Sequence, residues 1–279
     1  MSTWNARAEP DPVRIGPAGW VRAALRATAL GGVTYGCLGV LLAARLIEAP
    51  LFGMNRPVTP NITRFVCRSS LAILGMRYRV TGQPMKHRGA VVANHVSWLD
   101  IFSLNACQKI YFVSKSEVAG WAGIGWLARA TGTAFIARDP KEARAQRALI
   151  EDRIRAGHQL LFFPEGTSTD GLRVLPFKST LFAAFFSHGL EQALKIQPVS
   201  VVYRAPAGQD PHYYGWWGDM GFGAHFWKTL ATRRQGTVDV VFHQPVSVDA
   251  FESRKELAAH CEAVVRDGVK NILGADYLE

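Results

Sequence analysis

Asn94-His95-Val96-Ser97-Trp98-Leu99-Asp100 holds a pair of side chains that can move a proton. Of 8 histidines, only His95 has a carboxylate five residues further on. Seventy residues after His95 the chain reads Phe162-Phe163-Pro164-Glu165-Gly166-Thr167 around a second carboxylate. A histidine whose far ring nitrogen is held by an acid keeps one tautomer, and its other nitrogen becomes a better base. That base can deprotonate a hydroxyl so that the oxygen attacks an acyl group. Ser97-x-x-Asp100 also fits a helix capping box, in which Asp100 serves only the helix start. Both readings stand at this level.

The elements around these residues favour a site. Val91-Val92-Ala93 ends an apolar run of strand type, so Asn94-His95 falls in the loop at its C-terminal end, where open α/β sheets bind ligands. Asp100 then lies in the first turn of the following helix. Residues 159–163 form a second apolar run, closed by Pro164. Glu165-Gly166-Thr167 is its loop, where glycine permits close backbone approach to a ligand. Further strand candidates are 78–81, 90–93, 110–113, 133–136, 196–203 and 238–243. Helical patterns cover 98–106, 140–155 and 180–190, and a closing helix spans 249–273 with Asp249 as its cap. This alternation predicts an α/β domain over 77–279, with a largely parallel sheet flanked by helices.

The four blocks in this order resemble the glycerolipid acyltransferase family over roughly 71–203. The resemblance implies that His95 and Asp100 are catalytic, with His95 deprotonating an acceptor hydroxyl for direct attack on a fatty acyl thioester. The donor is then acyl carrier protein or coenzyme A, the acceptor a lysolipid, and no covalent acyl-enzyme or bound cofactor is needed. Glu165, Gly166 and Thr167 correspond to the acceptor-positioning block. Thr133-Ala134-Phe135-Ile136-Ala137-Arg138 is similar to the family's Phe-Ile-x-Arg, which makes Arg138 an anion-binding residue. Ile196-Gln197-Pro198-Val199 is similar to a proline-containing strand that lines the acyl site. One departure matters: Ser168 stands where the family carries an arginine associated with the acceptor's phosphate. Arg173 is near enough in sequence to substitute. Serine there favours a phosphate-free acceptor such as lyso-ornithine lipid, whose bacterial enzymes the stretch 166–171 resembles, over lysophosphatidic acid. A non-catalytic lipid-binding protein on the same scaffold is the competing class, although it has no need of a base.

Composition bounds the partners. The formal net charge is +10, yet only 19% of residues are charged while 48% are hydrophobic, with 8 Trp and 15 Phe. Basic residues interleaved with aromatics suit an anionic membrane surface, and no nucleic-acid module is present. Cys37, Cys67, Cys107 and Cys261 lie far apart without ligand spacing, which argues against a zinc site or a disulfide framework. The stretch 27–44 carries no charge between Arg26 and Arg45, at the lower limit of length for crossing a bilayer. Residues 1–20 read as a mobile tail and 21–76 as a membrane-attaching helical segment. Within it Thr59 is a candidate cap, followed by an amphipathic helix with Ile62, Phe65, Val66, Ser69, Ile73 and Leu74 on one side and Arg64 and Arg68 on the other. The expected location is the cell inner membrane, with the catalytic domain in the cytoplasm.

Overall fold

The computed structural model describes residues 4–5, 9–10, 13–137, 142–186 and 194–279. Helix α1, Pro17–Phe52, begins inside the segment read as a tail and takes in the whole charge-free stretch. Its 36 residues give a rod of about 54 Å at the α-helical rise. The first turns dock on helix α6, Phe222–Ala231. Arg22 and Arg26 donate to the carbonyls of Ala231 and Leu230, which a helix end leaves without intrahelical partners. Trp20 packs on Trp227 with ring centroids 5.6 Å apart. Further along, Leu25, Val40, Leu42, Leu46, Ile47 and Leu51 are exposed.

Helix α2, Thr59–Leu74, departs from expectation in two ways. Thr59 does not cap it. The buried carboxylate of Glu48 reaches over from α1 and accepts from Val58 N at 2.7 Å, Thr59 Oγ1 at 2.7 Å and Thr59 N at 3.2 Å. Its predicted apolar side is also only partly hidden: Leu74 is buried and Ile62, Val66, Ser69 and Ile73 are partly so, but Phe65 is not. Arg64 and Arg68 donate to the carbonyls of Cys107 and Ala106, at the end of helix α3, Asp100–Cys107. Phe65 is left 58% exposed, while Cys67, Ser70, Leu71 and Leu74 are buried. The two arginines satisfy carbonyls that the end of α3 leaves without intrahelical partners.

The sheet contains β1 (Arg77–Thr81), β2 (Gly89–Ala93), β3 (Tyr111–Lys115), β4 (Ala134–Ile136), β5 (Gln159–Phe162), β6 (Lys195–Arg204), β7 (Thr237–Phe242) and the short β8 (Val246–Ser247). Their order is β1-β7-β6-β2-β5-β3-β4, with β8 beside β6. All pairings are parallel except those of β6 with β7 and β8. The central β2 is buried at every residue, as its unbroken apolar run requires of a strand covered on both faces. Val91 and Ala93 face one core, with Leu71, Leu99, Leu104 and Leu230; Ala90 and Val92 face the other, with Ile154, Val265 and Val269. Pro198 sits mid-strand in β6 without breaking the sheet. Its carbonyl accepts from His243 N, so the side on which it lacks an N–H faces the gap between β7 and β8.

Two further expectations change. The closing helix α7 is Arg254–Leu273, capped by Ser253, whose Oγ accepts from Glu256 N at 3.2 Å. Asp249 lies in a separate 3₁₀ turn, Val248–Ala250. The pattern at 180–190 gives a 3₁₀ helix, Leu181–Phe186, and the remainder lies outside the described residues. Helix α5, Ala143–Arg155, occupies the described part of the 140–155 pattern.

Candidate active site

The register of β2 on β5 explains how residues seventy positions apart meet. Ala90 pairs with Leu160 and Val92 with Phe162, so both strands end level and their following loops lie side by side at the carboxyl edge of the sheet. Asn94, one residue before the histidine, fixes the exit of β2. Its amide donates to Val201 O and its carbonyl accepts from Val201 N, both at 2.8 Å.

His95 Nδ1 lies 2.7 Å from Asp100 Oδ2, and the same oxygen accepts from Val96 N at 2.8 Å and Ser97 N at 3.1 Å. The two sequence alternatives therefore coexist. Asp100 satisfies the loop N–H groups in front of α3 and also holds the imidazole. Three groups converge on one wholly buried oxygen and fix the carboxylate in place; in the tautomer that donates from Nδ1 to it, Nε2 is the free ring nitrogen. The His95 side chain is 22% exposed against 0% for Asp100, so the imidazole meets solvent while the acid that holds it does not. Phe163 stacks flat on the imidazole, with centroids 4.0 Å apart and planes 9° from parallel.

Glu165 has a different place from the one its motif suggested. Its carboxylate is buried and accepts from His95 N at 2.7 Å and Leu175 N at 2.9 Å. It braces the backbone of His95. Burial pushes its pKa up to about 8, against the pull of those two N–H groups, and the Asp100 charge adds to the rise. The loop is tied back a second time where Thr169 N donates to His95 O at 3.0 Å. Gly166 adopts φ +73°, a conformation that disfavours a side chain, and a Cβ there would lie 3.0 Å from the Lys178 ammonium. Thr167 is partly exposed at the loop tip. Arg138 lies outside the described residues.

The Ser168 hydroxyl is engaged within the protein: it donates to Trp216 O, and Trp216 N in turn donates to Val96 O at 3.0 Å. Arg173 does not replace the missing arginine. It pairs with the buried Asp170 at 3.1 Å, donates to Glu279 O at 3.3 Å and lies over the Trp4 ring. Of the seven Tyr, Trp and Phe residues between 213 and 227, Tyr213, Tyr214 and Trp217 are buried in the core. Phe222 and Phe226 instead pack on Trp98, and the buried His225 accepts from Trp98 Nε1 at 2.9 Å. Burial raises the Cys107 thiol to about 11 and holds it protonated, so the nearest cysteine is no nucleophile.

Asn94, Phe163, Thr169 and Trp216 were missed as site residues. Asn94 and Phe163 flank motif residues and carried that much signal. Thr169 and Trp216 act through backbone groups, which side-chain chemistry does not reveal.

A family model described as Acyltransferase matches residues 77–202. A lyso-ornithine lipid O-acyltransferase of Rhodobacter capsulatus is 63% identical over 94% of this chain and 95% of its own length. The chain belongs to the acyltransferase family. A second relative of the same description, from Pseudomonas aeruginosa, is 34% identical over 88% of this chain and 93% of its own. The crystal structure of a 1-acyl-sn-glycerophosphate acyltransferase from Thermotoga maritima superposes with a TM-score of 0.62, covering 92% of this chain and 98% of that one. At 21% identity that likeness shows the acyltransferase fold. The protein is thus an acyltransferase enzyme, and its His95 loop and Glu165 loop both lie within the matched span.

Proposed function

We propose that this acyltransferase moves a fatty acyl group from an acyl carrier protein or coenzyme A thioester to the free hydroxyl of a lyso-ornithine lipid. The observation that carries the reading is the partly exposed His95 imidazole held through Nδ1 by the buried Asp100. Nε2 takes the acceptor's hydroxyl proton as the oxygen attacks the thioester carbonyl. The C–S bond then breaks, the imidazolium returns the proton to the departing thiolate, and ester and free thiol leave. Phe163 lies against the ring face, where its π-cloud favours the transient positive charge. Glu165 acts on the base through its backbone, while Gly166, Thr167 and Arg138 contact the acceptor.

The acceptor choice rests on the names of the relatives together with the loop chemistry. Ser168 and Arg173 are both committed to partners within the protein, so neither offers a free charge to a phosphomonoester. Membrane attachment through α1 and the outward residues of α2 supplies the lipid, with the catalytic domain on the cytoplasmic face of the inner membrane. The test is purified protein with labelled acyl thioester, offered lyso-ornithine lipid and lysophosphatidic acid side by side. Acylation of lyso-ornithine lipid at the higher kcat/KM supports the reading. Preference for the phosphate-bearing acceptor overturns it, and absence of product with either leaves a lipid-binding role.

A further inference from the structure

A second cationic feature lies away from His95. A groove of about 740 Å³ opens between the end of α2 and the edge strand β1. Arg68, Arg77, Arg79 and Arg204 line it above a floor that includes Leu71 and Met76. Asp239 is the carboxylate that faces it, paired with Arg79 at 2.7 Å and Arg204 at 3.5 Å. Four guanidiniums against one carboxylate leave a strong positive excess. The turn into β7 adds Arg233 and Arg234, with two residues between Arg234 and Thr237, which also lines the groove. All six arginines are exposed, and among the described residues Arg77, Arg233 and Arg234 have no carboxylate partner.

Charged residues on an edge strand also block unwanted strand pairing. That accounts for Arg77 and Arg79, which share one face of β1, but not for Arg68 on α2, Arg204 on β6 or the pair before β7. The position of the groove is the second observation. β6 runs parallel to β2, β7 antiparallel to β6, and β1 parallel to β7. Arg204, Thr237 and Arg77 therefore lie at the same end of the sheet as His95. β1 is three strand steps from β2, about 15 Å across the sheet.

We propose that this groove and its arginine rim dock an acidic acyl carrier protein, whose phosphopantetheine arm then carries the thioester to His95. The proposal rests on the acyl-thioester reading above and adds where its carrier-protein donor lands. Extent favours a protein over coenzyme A. The positive surface runs from α2 across β1 and β6 to the turn before β7, wider than one nucleotide phosphate requires. The mixed lining also suits an acidic helix that brings apolar side chains with its carboxylates.

The experiment compares wild type with Arg77→Glu/Arg234→Glu, using acyl carrier protein and coenzyme A thioesters of the same fatty acid. The ratio of kcat/KM for carrier-protein donor to coenzyme A donor should fall at least about tenfold, through KM, as expected when rim charges that steer association are reversed. Arg77→Gln, which introduces no new charge, should fall between. Holo carrier protein labelled with a fluorophore should lose affinity for the double variant in anisotropy titrations, and wild-type binding should weaken as salt rises. Equal losses with both donors, or an unchanged ratio, overturn the proposal. So does loss of binding to anionic vesicles with carrier affinity intact, which would assign the groove to the membrane surface. If wild type acylates nothing, the functional reading fails, while the titration still reports on the groove.

Discussion

The main-chain N–H of His95 donates to Glu165 Oε1 at 2.7 Å, so the second motif's acid fixes the backbone of the first motif's base. A buried carboxyl that titrates near 4.5 in the unfolded chain and about 8 when folded keeps a proton over that interval which the unfolded chain has released. Folding stability therefore falls as pH rises from about 4.5 to about 8; the contribution is fully present below about 4.5 and lost above about 8. Denaturant melts of wild type and Glu165→Gln across this interval should differ in slope, with the variant flatter. Parallel curves would mean that Glu165 is ionised throughout.

Removing the base should cost about 10²–10⁴-fold in kcat with the fold intact, so His95→Ala is expected to be nearly inactive by acyl transfer and native by circular dichroism. Asp100→Asn is the sharper variant. An asparagine serves a helix start about as well as aspartate, but it cannot stabilise an imidazolium. Wild-type turnover in a folded Asp100→Asn protein would reduce Asp100 to a structural cap.

Ser168→Arg is expected to shift selectivity towards lysophosphatidic acid. The substitution gives up the hydroxyl's bond to Trp216 O and sets a guanidinium in the loop that leads from Glu165. A charge-assisted bond is worth roughly 1.5–3 kcal/mol, about tenfold or more in the ratio of kcat/KM for the two acceptors. A ratio that does not move would place the acceptor head group elsewhere.

Glu48→Ala should destabilise the protein by about 1–2 kcal/mol, the usual worth of a helix cap, because Val58 N and Thr59 lose their acceptor. The same carboxylate makes deletion of residues 1–50 a poor test of membrane attachment, since the deletion strips the cap from α2. Leu46→Glu/Leu51→Glu is preferable, as both side chains are exposed. Its flotation with anionic vesicles should drop while its melting temperature stays near wild type. Undiminished flotation would exclude this stretch of α1 from the membrane contact.

The sequence by itself determined the sheet and the dyad. Both are written in local terms: continuous apolar runs mark buried parallel strands, and His95 and Asp100 are close enough in the chain to meet whatever else the fold does. The direction of α2 and the task of Glu165 were decided only in three dimensions. Phe65 faces outward because Arg64 and Arg68 are taken by the carbonyls ending α3, a partner forty residues away that no periodicity can reveal. Glu165 reads as a ligand contact from its loop, yet β2–β5 register sets it against the backbone of His95. The arginine groove likewise has no motif. Its members come from α2, β1 and β6, and they reach one edge because β7 and β1 run opposite to β6 and β2.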